Sequence, residues 1–260
     1  MSAAAAPGPA DGPGGDQASS FGSAAQTYDR VRPGYPAGVV RWALGETPRR
    51  VVDLGAGTGK LTRVLLAAGH DVVAVEPDPQ MRAQLQAISP EVRALAGTGE
   101  DLPLPDGSVD AVTVAQTWHW LDHDRASSEL ARVLRPGGRA VLLWNLRHDD
   151  DPLARAVSAA VTAHAPELAE RATADTRHPR RYVTVPDARL VSDGSTVLDS
   201  SVRYDVADLL ALVGTWSYVA LSPERDLIMG AVGAAARALA DADGTVLLAQ
   251  SVHAFRFVRT

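Results

Sequence analysis

The chain has 260 residues, of which 46% are hydrophobic and 22% charged, a composition typical of a soluble globular protein with one domain of ordinary size or two small ones. It has no cysteine and no apolar run of the roughly 18 residues that a membrane span needs, which excludes disulfides, thiolate chemistry, cysteine-ligated metals and integral membrane function. The net charge of -6, without a dense run of Arg or Lys, argues against nucleic acid as a partner.

Residues 1–20 are mostly Ala, Gly, Pro and Ser and include no aromatic or branched aliphatic side chain. Burial of such residues cannot offset the entropy of ordering them, so we predict a disordered tail. The segment also lacks the basic start and the continuous apolar centre of a signal peptide, which predicts a cytoplasmic protein. From Phe21 onward the composition is that of a globular domain.

The first half of this domain alternates short β-branched runs with runs of helical periodicity. The predicted strands are 51–54, 71–76, 92–97, 109–115 and 139–145, and the predicted helices lie at about 59–68, around Met81 and through 129–134. Apolar strands separated by helices of this length indicate parallel βαβ units around a buried sheet. The predicted fold class is therefore α/β.

The second half is less regular. Helices are predicted at about 152–172, 206–214 and 223–241, and strands near 182–186, 196–206 and 252–259. We interpret these segments as the last strands of the same sheet, together with an insertion that covers the edge of the sheet where ligands bind.

A glycine loop follows the first predicted strand, in the segment VVDLGAGTGK at 51–60. A phosphate-binding P-loop would need glycine where Leu54 stands, and Ser or Thr instead of Leu61. The dinucleotide fingerprint would need its third glycine at Lys60. The remaining pattern is G-x-G-x-G preceded by Asp53, which resembles the first motif of class I S-adenosylmethionine (SAM) methyltransferases.

Three later segments occur in the order that the same family shows. Glu76 ends the second predicted strand 21 residues after Gly55, where a carboxylate can accept both hydroxyls of a ribose, in NAD and SAM alike. Residues 97–106 resemble the adenine-binding turn of the family, and residues 129–139 resemble its entry into the fifth strand. Together with the glycine loop, these segments identify the chain as similar to class I SAM methyltransferases.

The segments 21–36 and 116–122 resemble the type 11 small-molecule branch, which includes trans-aconitate methyltransferase-like proteins. The resemblance covers residues 21–146 and implies a doubly wound, mostly parallel seven-stranded sheet with a helical insertion in the second half. It implies a single methyltransferase domain at 21–260, made of a SAM-binding core at 21–146, a substrate-covering insertion with late strands at 147–251 and a final strand at 252–260.

The resemblance also implies which residues contact the cofactor. Asp53 would hold the loop and the amino group of SAM, and Glu76 would bind the ribose. Tyr28 and Arg32 would belong to an N-terminal lid, since a guanidinium fork suits the methionyl carboxylate; a surface ion pair of Arg32 with Asp29 is the alternative. The implied cofactor-binding set is Tyr28, Arg32, Asp53, Gly55, Ala56, Gly57, Gly59, Glu76, Pro77, Thr98, Gly99, Glu100 and Gln116.

The adenine-binding turn departs from the family at one position. The family often has Asp where this chain has Thr98, which leaves the adenine contact to Glu100 or to the backbone.

His119 is the candidate catalytic residue, in the segment that leaves the fourth strand at the ligand edge. It would serve as a base or as a substrate contact, and the alternative is a packed histidine. His119 and His123 have the i, i+4 spacing of a metal pair, but no Glu follows His119 and no third ligand is evident. We therefore expect no metal.

The function implied by the resemblance is SAM-dependent transfer of a methyl group to an oxygen, nitrogen or carboxylate acceptor on a small molecule. A carboxylate acceptor needs no base, whereas a hydroxyl or an amine must lose a proton. Two alternatives stay open, a nicotinamide-dependent oxidoreductase of the same fold and a non-catalytic SAM-binding regulator.

Overall fold

A seven-stranded sheet organises the part of the chain that the computed structural model describes, which is residues 25–168, 179 and 183–260. The predicted tail at 1–20 lies outside the described residues, as do the end of the predicted helix at 152–172 and the first residue of the predicted strand at 182–186. Within the described ranges, no helix is both long and apolar enough to cross a membrane.

The strands follow the order β3-β2-β1-β4-β5-β7-β6 across the sheet. Strands β1 to β5 pair in parallel, and β7 pairs antiparallel with both of its neighbours. This arrangement confirms the predicted α/β class and the mostly parallel seven-stranded sheet. The bounds are β1 Arg50–Leu54, β2 Asp71–Val75, β3 Arg93–Leu95, β4 Val109–Ala115, β5 Leu134–Arg147, β6 Leu190–Asp205 and β7 Thr245–Arg259.

The helices of the described ranges lie between these strands and before the first of them. They are α1 Ala25–Val31, α2 Ala37–Leu44, α3 Lys60–Ala67, α4 Pro79–Ile88, α5 His123–Val133, α6 Pro152–His164, α7 Val206–Gly214, α8 Ser217–Ala220 and α9 Arg225–Leu239. Four of them begin after an aspartate whose side chain accepts a backbone N–H of the first turn, which satisfies a donor that the helix itself cannot. These N-cap residues are Asp78, Asp122, Asp151 and Asp205.

The predicted strand at 182–186 is wrong for its described residues, which have no regular secondary structure. Val183 and Val185 pack against the hydrophobic core, and the indole of Trp118 donates to the carbonyl of Thr184 over 3.2 Å. The alternating apolar residues therefore bury their side chains although their backbone does not join the sheet. Alternation of apolar and polar residues does not distinguish a strand from an irregular segment that packs on the core in this way.

The last two strands are longer than the sequence pattern predicts. They pair along their whole length, from Leu190 opposite Arg259 to Asp205 opposite Thr245. Strand β5 ends at Arg147, which pairs with the middle of β7, so the β6–β7 ribbon continues past the ligand edge. The helices α6, α7 and α9 pack on this extension and form a helical layer beyond that edge.

Candidate active site

The glycine loop leaves β1 in a conformation that requires glycine at three alternate positions. Gly55, Gly57 and Gly59 have φ of +66°, +56° and +86°, in the left-handed region that residues with a side chain rarely adopt. A Cβ at Gly55 would lie 2.3 Å from the hydroxyl of Thr117, whereas a Cβ at Gly57 would meet nothing within 4 Å. The backbone at Gly57 therefore borders open space that a ligand can fill.

Glu76 follows β2 and lies against this loop. One oxygen of its buried carboxylate accepts the backbone N–H of Gly57 over 2.9 Å, and the other accepts that of Asp78 over 3.0 Å. Burial raises the pKa of the carboxyl, and the two amides oppose that shift. Each oxygen keeps acceptor capacity, so Glu76 can take further hydroxyl donors beside the open backbone. The structure thus brings together two features that the sequence predicts to share one ligand.

Asp53 is buried at the end of β1, where it braces the elements around the loop. Its oxygens accept the hydroxyl of Thr62 from α3 over 2.6 Å and the hydroxyl of Thr113 from β4 over 3.1 Å. Burial raises its pKa to about 6, although both hydroxyls favour the charged form. The sequence analysis did not predict that either threonine bonds to Asp53. The one signal for Thr113 is the pairing of β1 with β4, which places Thr113 opposite Asp53. Contact of Asp53 with the amino group of SAM stays a prediction.

The alternative pairing of Arg32 with Asp29 does not form. Asp29 pairs instead with Arg63 over 2.7 Å. The guanidinium of Arg32 donates from Nε to the hydroxyl of Thr215 over 2.9 Å and from Nη2 to the Thr215 carbonyl over 3.1 Å, and it lies 5.0 Å from the ring centre of Tyr28. The segment that carries Tyr28 and Arg32 is therefore fixed to the second half of the chain, and its contact with a cofactor stays a prediction.

The predicted adenine turn follows β3, whose last residue, Leu95, accepts the backbone N–H of Glu76 over 3.0 Å. Glu100 accepts the backbone N–H of Asp122 over 2.9 Å, and a Cβ at Gly99 would lie 2.5 Å from Leu121. Thr98 is exposed. The turn is thus attached to the segment that leaves β4, at the same edge as the ribose candidate.

Three further residues of the implied set occupy that edge. Ala56 is half-buried and packs beside β2, and Pro77 is exposed on the turn after Glu76. Gln116 directly follows β4 with φ of +57°, the one positive φ of a residue other than glycine in the described ranges. Such a conformation costs about 1 to 3 kcal/mol and persists at functional sites where the surroundings impose it. Here the side chain of Gln116 donates to the carbonyl of Asn145 over 2.9 Å, which ties β4 to β5.

Asn145 presents a buried acceptor at the same place. Its Nδ2 donates to the carbonyl of Gly34 over 3.3 Å, and because that carbonyl only accepts, the orientation of the amide is fixed. Its Oδ1 is buried and has no hydrogen-bond partner within the described residues. A buried amide oxygen of this kind carries a desolvation cost that a ligand N–H or O–H would relieve.

His119 is exposed on the turn after β4, and its Nδ1 accepts the indole N–H of the buried Trp144 over 3.3 Å. A neutral imidazole that accepts at Nδ1 carries its proton on Nε2. His123 stacks on Trp118 at 5.2 Å between ring centres, so the two histidines have different surroundings. Nowhere in the described ranges do three or more His, Cys, Asp or Glu side chains cluster so as to hold a metal.

A cleft of about 360 Å³ opens where β5 ends. In this cleft the hydroxyl of Ser251 lies 3.0 Å from Nε2 of His253, and His253 is the β7 partner of Trp144. Sequence reasoning assigned no role to these residues, because nothing local links them to the glycine loop. The lining residues are Leu146, Arg147, His148, Asp149, Asp150, Ser251 and His253.

Comparison with known families bears on the stretch that carries the glycine loop, Glu76 and His119. Residues 52–142 match the family described as "Methyltransferase domain". This stretch of the chain is similar to a methyltransferase domain. The matched range runs from β1 into β5, so it holds the parallel strands whose carboxyl ends form the site.

Bacterial proteins are similar to part of this chain. An uncharacterized methyltransferase of Mycobacterium tuberculosis (strain ATCC 25618 / H37Rv) is 57% identical over 134 residues, which are 52% of this chain and 55% of that protein. A demethylmenaquinone methyltransferase of Thermus thermophilus is 43% identical over 108 residues, 39% of this chain and 49% of that protein. The chain spans about half the length of the curated relatives it matches.

The methyltransferase fold extends beyond the matched range. The structure of a putative type II methyltransferase from Anaeromyxobacter dehalogenans aligns with 88% of this chain and 97% of its own, with a TM-score of 0.64 and 27% identity. The late strands and the helical layer therefore belong to the same fold as the glycine loop, and the predicted resemblance to class I methyltransferases is confirmed.

Proposed function

We propose that the chain is a SAM-dependent methyltransferase that acts on a small molecule. The observation that carries the proposal is the open backbone at Gly57 with the buried Glu76 carboxylate beside it, within a methyltransferase domain. A loop that required glycine only for its turn would not need that open side. The family match supports methyl transfer over the nicotinamide alternative, for which ribose binding by Glu76 would be equally suitable.

The residues present fit SAM. Gly57 offers close backbone approach, Glu76 offers acceptors for two ribose hydroxyls, and the turn at 98–100 follows the neighbouring strand β3 at the same edge of the sheet, where it can contact the adenine. The orphaned Oδ1 of Asn145 can accept an N–H or O–H from a ligand at the ends of β4 and β5. When bound, SAM supplies a methyl carbon that its sulfonium already activates, so the main task of the protein is to orient the acceptor and exclude water.

The acceptor would lie over the ends of β4 and β5, between His119 and the cleft. We propose that His119 contacts it. Because Nδ1 of His119 accepts the indole N–H of Trp144, the proton of the neutral imidazole is on Nε2. This N–H favours a role of His119 as a hydrogen-bond donor to the acceptor over a role as a base. If the acceptor is a hydroxyl or an amine, the Ser251–His253 pair is a second imidazole site that can take up its proton.

The direct test is transfer of label from methyl-labelled SAM to the small-molecule fraction of a cell extract, separated from protein and nucleic acid. We expect labelled small molecules with the wild-type chain and none with Gly57→Val. Binding of SAM with label left in SAM would instead support a non-catalytic SAM-binding regulator. Label in nucleic acid would contradict the proposed acceptor class. Action in the cytoplasm and an acceptor that is neither membrane-bound nor nucleic acid stay predictions.

A further inference from the structure

Asp29, on the helix α1, lies against the glycine loop. Its Oδ1 accepts the hydroxyl of Thr58 over 2.8 Å and Nη2 of Arg63 over 2.7 Å, and Nη1 of Arg63 donates to the carbonyl of Thr58 over 2.9 Å. The three hydrogen bonds close a ring that joins α1, the loop and α3. The geometry points to Asp29 as a positioning residue that holds the loop in its ligand-binding conformation, an inference that rests on the proposed function.

Hydrogen bonds to Thr58 are the most effective way to fix the loop, because Thr58 lies between Gly57 and Gly59. Both glycines have positive φ, and glycine has the greatest backbone freedom to lose on ordering. The ring fixes Thr58 by its side chain and by its carbonyl, and Thr58 itself is buried. The backbone N–H of Gly57, which donates to Glu76, is thereby set in place before a ligand arrives.

The position of Asp29 is in turn set by the second half of the chain. Val31 is buried in the helical layer, and its carbonyl accepts the hydroxyl of Tyr204 over 2.8 Å. Arg32 is bonded to Thr215, whereas the solvent-exposed ion pair of Arg30 with Asp208 of α7 adds little to this attachment. The helix α1 is therefore a rigid link, and Asp29 transmits the position of the helical layer to the loop that is predicted to bind the cofactor.

The test compares Asp29→Ala with Arg30→Ala, a matched control on the same helix. The pair of Arg30 with Asp208 is open to solvent, with side chains 56% and 36% exposed, so its loss has little effect. Asp29 and Arg63 are 18% and 30% exposed, and their bonds reach the loop. We expect Asp29→Ala to raise the Kd for SAM about tenfold or more, and Arg30→Ala to leave it unchanged within about twofold.

Two further variants separate positioning from general stability. Asp29→Asn keeps an oxygen that can accept from Thr58 and Arg63, so we expect it to recover most of the affinity. Thr58→Val removes the hydroxyl at constant volume, and if Asp29 acts through Thr58, the double variant binds SAM no more weakly than Asp29→Ala. Fully additive losses would overturn the inference.

Failure of the inference about Asp29 can be distinguished from failure of the proposed function. A wild-type chain that binds SAM together with an Asp29→Ala variant of equal affinity overturns the role of Asp29 alone. A wild-type chain that does not bind SAM overturns both. If Asp29→Ala unfolds, the affinities of Asp29→Asn and Thr58→Val decide: near wild-type binding by Asp29→Asn with weak binding by Thr58→Val supports the inference, and equal binding by wild type and Thr58→Val overturns it.

Discussion

Two buried carboxylates, Asp53 and Glu76, stand on either side of the glycine loop in different surroundings. Both oxygens of Asp53 accept side-chain hydroxyls from neighbouring elements, so this residue holds β1, α3 and β4 together. Glu76 is bonded to backbone amides of the loop and of the following turn, and it borders the open backbone at Gly57. The difference supports a bracing role for Asp53 and agrees with the proposed ligand-binding role of Glu76.

Replacement of Glu76 tests the ribose assignment. Glu76→Ala removes an acceptor from two ribose hydroxyls, and each hydrogen bond to a charged group is worth about 1.5 to 3 kcal/mol, so the Kd for SAM should rise at least about tenfold. Asp78→Ala is the control, since it removes the N-cap of α4, which costs about 1 kcal/mol of stability, and leaves the Glu76 carboxylate in place. Titration calorimetry measures both. An unchanged Kd in Glu76→Ala would refute the assignment.

The raised pKa of Asp53 predicts how stability depends on pH. The folded state favours protonated Asp53, so the stabilisation is complete below the ordinary value of 3.8 and is lost as pH rises through about 6. Asp53→Asn keeps an acceptor without a charge. We therefore expect it to flatten this part of the pH profile and to raise the free energy of unfolding at pH ~7.5 relative to wild type.

Urea unfolding across that pH range measures the effect of Asp53. The exposed Asp71→Asn is the matched control, and it should retain the wild-type slope. If Asp53→Asn also retained the slope, the pKa of Asp53 would not be raised in the folded protein. Loss of SAM affinity in Asp53→Asn, alongside a gain in stability, would support a second role for the charge in cofactor binding.

His119 offers a way to tell a donor from a base. His119→Ala should lower turnover about a hundredfold and leave SAM affinity and melting temperature near wild type, because the side chain is exposed. His119→Gln retains an N–H donor but has no basic nitrogen. We expect His119→Gln to recover most of the turnover, given the hydrogen bond from Trp144. If turnover of His119→Gln were as low as that of His119→Ala, His119 would act as a base. If both variants had normal turnover, His119 would have no role in the reaction.

Among the elements, the glycine loop shows what local sequence can predict. Its glycines, the strand before it and the helix after it are contiguous, so the pattern of residues 51–60 specifies the turn directly. The hydrogen bonds that fix α1 and the glycine loop could not be predicted, because Asp29 lies 34 residues before Arg63, and Arg32 lies 183 residues before Thr215. Contacts of that separation depend on how the elements pack, and periodicity carries no information about it.

A pair of glycine variants separates backbone strain from ligand contact. Gly57 and Gly69 both have positive φ and open space around a Cβ, so Gly57→Val and Gly69→Val impose a similar conformational cost of about 1 to 2 kcal/mol. Only Gly57 adjoins Glu76. We expect both variants to lose a similar amount of stability in urea and only Gly57→Val to lose SAM binding. Equal binding by the two would mean that the loop is structural.

At the scale of the whole molecule, the helix α1 and the second half of the described chain cover the ligand edge of one sheet. The β6–β7 ribbon extends past β5 and carries the helical layer, and α1 packs into the same layer from the N-terminal side. The sequence predicts the parallel sheet well, since buried strands are apolar runs. The sequence underestimates the length of the β6–β7 ribbon, because alternate side chains of β6 are exposed and the strand contains Ser, Thr and Asp with few apolar residues.

The central claim, that this edge binds SAM, is tested most directly by calorimetric titration of the wild-type chain with SAM, S-adenosylhomocysteine and NAD under identical conditions. Binding of SAM and S-adenosylhomocysteine at one site per chain, with no heat from NAD, is the predicted result. Binding of NAD without SAM would contradict the claim and favour the oxidoreductase alternative, and absence of binding by all three would remove the cofactor role of the glycine loop.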